Sequence, residues 1–113
     1  MSSGITDGRH ALAEETSLEL HRAVADRLRA EASRIGKARE RVARWLEDGS
    51  VPRAVAEAWN EMLEQPLERV VVALTDPGER ARQLRQTSPF AGLLDARTRW
   101  EIWRRVRQVR RPA

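Results

Sequence analysis

Cysteine is absent from this 113-residue chain, which excludes a disulfide framework and any thiolate metal site. Tyrosine is absent as well, and aromatic residues make up only 4%: four Trp and the single Phe90. Strands draw on aromatic and β-branched residues. This shortage, beside an abundance of Ala, Leu, Arg and Glu, favours helices. Long apolar runs are missing too. The longest, residues 70–74, falls far short of the ~20 residues a membrane span needs. Residues 1–10 hold no apolar stretch of the secretory kind, so the cytoplasm is the expected location and no membrane partner is expected.

Catalytic signatures are lacking in the same way. There is no Gly-rich phosphate loop, no His or carboxylate cluster at metal-ligand spacing and no nucleophile elbow. His10 and His21 are the only imidazoles. A lone His on a helix is far more often a packing or surface residue than a general base. Glu14 with Glu15, and Glu57, Glu61 and Glu64 at helical spacing, read as solvated faces paired with arginines such as Arg53. The chain therefore reads as non-enzymatic, with no cofactor and no metal.

What is present is arginine: twenty Arg against the single Lys37, for a net charge of +4. A GC-rich genome encodes Arg and Ala by default, so number alone says little. Distribution says more. From residue 79 onward, ten Arg face only Glu79, Asp95 and Glu101, a balance of +7 that leaves −3 for the rest of the chain.

The apolar pattern predicts an all-α fold of about five helices in one domain over residues 11–113, with residues 1–10 as a disordered tail. A long first helix is expected over residues 17–48. Its heptad stripe of Val24, Leu28, Ile35, Ala38, Val42 and Trp45 carries two polar members, His21 and Glu31, and Gly36 marks a place for a bend. That stripe fits a partner helix of the same chain or its own copy in a homodimer. Gly49 stops the first helix, and Ser50 and Pro52 start a second over residues 51–64, with Val55, Trp59 and Leu63 inward. Residues 66–74 form a third. Asp76, Pro77 and Glu79 have capping-box spacing for a fourth helix over residues 77–86. Asp95 caps a basic terminal helix over residues 96–110, with Ile102, Val106 and Val109 on one line and Trp100 with Trp103 on another.

Between the last two helices stands Ser88-Pro89-Phe90-Ala91-Gly92, which no periodicity explains. Arg82, Arg85, Arg99 and Arg104 surround the large apolar groups Pro89, Phe90, Trp100 and Trp103, and Trp interleaved with Arg is the composition of a protein interface. These eight residues are the expected partner-binding set. Phe90 and Trp100 fit a core role equally well. A DNA-binding surface is the alternative, although the arginines of the last helix surround it instead of forming one stripe. Residues 67–85 fit a helix-turn-helix poorly, because the turn reads Thr75-Asp76-Pro77-Gly78. An amphipathic helix lying on a membrane surface is a further reading of residues 96–111.

Residues 59–103, with Leu84-Arg85-Gln86-Thr87-Ser88-Pro89-Phe90-Ala91-Gly92 followed by Arg99-Trp100, resemble a group of short actinobacterial antitoxin candidates. Their recurring element has the form Leu-Arg-x-x-Ser-Pro-Phe-Ala-Gly, then Arg-Trp, and their genes neighbour nucleotidyltransferase-type toxins. The resemblance implies a small helical antitoxin that binds and blocks a toxin protein encoded nearby, and that also binds DNA in some cases. It carries Leu84, Arg85, Ser88, Pro89, Phe90, Ala91, Gly92, Arg99 and Trp100 as the family residues. Residues 17–48 lie outside it.

Overall fold

In a computed structural model that describes residues 3–110, the chain is all-helical, and the described residues contain no strand. Six α-helices and one 3-10 turn follow in order: α1 (Ser3–Ala30), the 3-10 turn Ala32–Arg34, α2 (Ile35–Asp48), α3 (Arg53–Leu63), α4 (Leu67–Leu74), α5 (Glu79–Arg85) and α6 (Ala96–Arg110). Residues 3–10, expected as a tail, continue α1. Adding a turn to an existing helix avoids the nucleation step that makes short helices unfavourable. Residues 1–2 and 111–113 lie outside the described residues.

The long helix expected over residues 17–48 is two helices. The break falls at Glu31 (φ −148°, ψ 86°), five residues before Gly36. Nothing local demands it, since Ala30 and Ala32 are strong helix formers. Tertiary packing does. Unbroken, residues 3–48 would span ~70 Å at 1.5 Å per residue, whereas the longest dimension of the described fold is 45 Å. The break lets one apolar stripe serve two sets of neighbours: α1 packs on α4, α5 and α6, while α2 packs on α3. The stripe thus finds its partners within its own chain. Glu31 closes α1 through its amide to the Arg27 carbonyl (2.9 Å), and its carboxylate holds Arg34 Nε (2.5 Å).

The core collects Val24 and Leu28 from α1, Val42 from α2, Trp59 and Leu63 from α3, Val70 and Leu74 from α4, and Ile102 and Val106 from α6. Trp59 is fully enclosed, and its ring meets Phe90 edge-on at 6.0 Å. Val109, expected on the same line as Ile102, is 78% exposed.

Stops are local and starts are less so. Gly49, with φ 69°, ends α2 and returns its amide to the Trp45 carbonyl (3.0 Å), the left-handed termination glycine permits without a steric penalty. Ser50 does not cap α3. It bonds backwards to the Asp48 carboxylate, and Pro52 occupies the cap position. The capping box at residues 76–79 is likewise unformed: Asp76 accepts the Gly78 amide (2.8 Å) in a loop turn, α5 begins at Glu79, and Glu79 reaches Arg82. Asp95 does cap α6, accepting the Thr98 amide at 2.7 Å. Hydrogen bonding from the Thr98 side chain first, and from its amide second, holds the Asp95 carboxyl below the usual carboxylate value.

Leu28 has no exposed surface and Val72 is 64% exposed. Leu28→Ala is expected to lower unfolding free energy by about 2–5 kcal/mol, against less than about 0.5 for Val72→Ala. Urea denaturation followed by circular dichroism measures both.

Candidate interaction surface

The eight residues singled out from the sequence divide into two groups, and the division begins at Arg85. Its side chain is buried, and Nη1 donates to the carbonyls of Leu74 (3.0 Å) and Asp76 (2.7 Å). Leu74 is the last residue of α4, so the guanidinium satisfies a carbonyl left without a partner at a helix end. Arg85 is thereby a clamp between α5 and the end of α4, and burial pulls its basicity down. Arg39 does the same at the end of α3, donating Nε and Nη2 to the Leu63 carbonyl (3.2 and 3.0 Å). Arg82 is partly exposed and holds two carboxylates, Glu14 of α1 (3.0 Å) and Glu79 (2.6 Å).

Pro89 and Phe90 are buried as well. What holds them is a line of three hydrogen bonds. His21 Nδ1 lies 2.7 Å from the Ser17 carbonyl, which can only accept, so Nδ1 carries the proton and the neutral ring presents Nε2 as an acceptor. Ser88 Oγ donates to Nε2 (2.8 Å) and accepts the Phe90 amide (3.2 Å). The turn closes with the Leu93 amide on the Phe90 carbonyl (3.1 Å), and Gly92 at φ 90° supplies a conformation other residues resist. Phe90 therefore takes the core role of its two alternatives. Burial, and secondarily the nearby Arg85 charge, push the His21 pKa below its ordinary 6.5, against the opposing Ser17 bond.

Arg99, Trp100, Trp103 and Arg104 all face outward on α6. Ile102 and Val106 turn inward, and at 100° per residue Trp100 stands about 160° from Ile102. Trp100 (55% exposed) and Trp103 (40% exposed) stack at 5.0 Å with planes 13° apart. The Arg107 guanidinium lies 3.9 Å from the Trp103 ring centre, and its Nη1 reaches Thr16 Oγ1 of α1 and the Trp103 carbonyl, both at 3.3 Å. Cation, ring and ring form one ordered ladder. Arg107 belongs to this surface although the interface composition did not single it out; its position four residues after Trp103 was the available signal. Arg105 approaches Glu19 (4.0 Å) and Arg97 pairs with Glu101 (3.4 Å), which leaves Arg99 and Arg104 as the exposed cations flanking the Trp pair. The structure thus brings four of the eight together, with Arg82, Arg85, Pro89 and Phe90 serving the interior and its supports. No group of three His, Asp or Glu with metal-binding geometry occurs among the described residues.

A His held neutral by burial makes stability fall with acid. Between the folded pKa and 6.5 the unfolded chain binds more protons than the native one, so the contribution is complete above 6.5 and is lost as pH drops toward the folded value. Asp48 and Asp95, held below 3.8, act only in stronger acid. Thermal melts between pH 7.5 and 5 should show this decline, and a His21→Gln variant should show a flatter one. No family model, curated protein or solved structure matches this chain.

Proposed function

We propose that the chain is a non-catalytic binding protein, an antitoxin-like inhibitor that engages a toxin enzyme of the nucleotidyltransferase type through the outer face of α6. The observation that carries this reading is the exposed Trp100–Trp103 stack ordered by Arg107. Two large rings turned to solvent forgo burial that the small core could use, and their rigid stacking removes much of the side-chain entropy that binding would otherwise cost. Trp and Arg are also the residues most often found at the energetic centre of protein interfaces. The fitting occupant is a protein surface with an apolar recess for the rings and carboxylates for Arg99 and Arg104. Charge complementarity of that kind speeds association. The Leu84–Gly92 motif acts beneath this surface: Ser88, Pro89 and Phe90 fix the corner from which α6 departs.

Among the described residues no helix is long and apolar enough to cross a membrane. Charge on α6 is partly consumed by Glu19 and Glu101, which favours a protein partner over a phosphate backbone.

Size-exclusion chromatography with the product of the neighbouring toxin gene should give a stable complex, and absence of co-elution at micromolar concentrations would sink the proposal. Trp100→Ala should leave the melting temperature nearly unchanged and weaken the complex by about 30-fold or more, as truncation of an interface anchor does. Retardation of promoter DNA that collapses with added salt, without a protein complex, would transfer the surface to nucleic acid.

A further inference from the structure

On another face of the molecule, the segment containing residues 89–93 forms one wall of a cleft of about 490 Å³ whose opposite wall is the 3-10 turn and the start of α2. That volume is in the range of small-molecule sites. Its lining is divided by chemistry. Ala38, Pro89, Phe90 and Leu93 contribute apolar surface, while Arg34, Lys37 and Arg41 contribute cations from successive turns of one helical stretch. Glu31 is the only carboxylate in the lining, and it is taken by Arg34 (2.5 Å). Lys37 is exposed and holds no ion pair among the described residues. Arg41 is already positioned, with Nη1 on the Ala91 carbonyl at 3.1 Å, and has further N–H groups to give. Two positive charges are thus left without a counter-charge beside an apolar floor.

From this we infer that the cleft binds a small phosphomonoester carrying an apolar body. A phosphate monoester brings close to two negative charges and three acceptor oxygens at neutral pH, which matches two uncompensated cations better than a single carboxylate does. The apolar body lies along Leu93 and the small part of Phe90 that the core leaves exposed. The wall is rigid enough for the purpose, because Ser88 is tied to His21 and the chain turns at Gly92 with φ 90°. This site is separate from the α6 surface and stands or falls without it.

Backbone amide NMR titration of the full chain with phenyl phosphate, inorganic phosphate and benzoate tests it. Phenyl phosphate should give saturable shifts at residues 37, 41 and 90–93, with affinity about tenfold above that for benzoate, since the second charge and third oxygen add charge-assisted bonds. Inorganic phosphate should shift the same amides more weakly. Lys37→Gln, at an exposed position that makes no bond to the fold, should weaken phenyl phosphate about fivefold or more at unchanged melting temperature, and Lys37→Arg should retain binding. Shifts confined to α6, benzoate binding as tightly as phenyl phosphate, or an unaffected Lys37→Gln variant would each overturn the inference.

Discussion

Much of the architecture depends on a buried neutral imidazole. His21 joins α1 to the residues ahead of α6 through Ser88, and Ser88 in turn holds the amide of Phe90. Beside that bond the segment is held by its Leu93–Phe90 turn bond and by Arg41 on the Ala91 carbonyl. With the Ser88 bond, Phe90 meets Trp59 in an edge-type contact, Leu94 follows into the core, and α6 starts from a fixed corner where Asp95 caps it. Both the exposed Trp pair and the cleft beside residues 89–93 inherit their geometry from this anchorage.

Arginine does structural work before any other. Arg39 forks onto the last carbonyl of α3, Arg85 closes the end of α4, and Arg41 holds the carbonyl of Ala91. Short helices expose many unpaired carbonyls relative to their length, and a long side chain with five donors can serve them from a neighbouring element. The number of arginines therefore overstates the charge offered to a partner. Among the exposed cations, Arg99 and Arg104 stand beside the Trp stack and Lys37 stands in the cleft, where Arg41 keeps its charge while holding the Ala91 carbonyl.

Legibility in the sequence followed the range of the interaction. Helical content, the helix end at Gly49 and the cap at Asp95 could be read because each rests on residues within a turn of one another. The outward placement of Arg99, Trp103 and Arg104 was also readable, since Trp plus Arg on a helix with its own apolar line announces a second face, whereas Trp100 fitted a core role equally well until its 55% exposure decided it. The misplacement of Arg85 and Phe90 has one origin. Arg85 and Phe90 resembled interface residues by composition, and only contacts across 11 residues to Leu74 and 67 residues from His21 to Ser88 show them to be internal.

The sequence by itself determined an all-helical chain, most of the inward lines of its helices, and a charge concentrated after residue 79, because periodicity and composition act locally. Tertiary structure alone decided the break at Glu31, where no residue type calls for one and the 45 Å limit of a compact fold does. It also decided which arginines are clamps and which are free. A guanidinium is assigned by the carbonyl or carboxylate it meets, and those partners come together only when the helices pack.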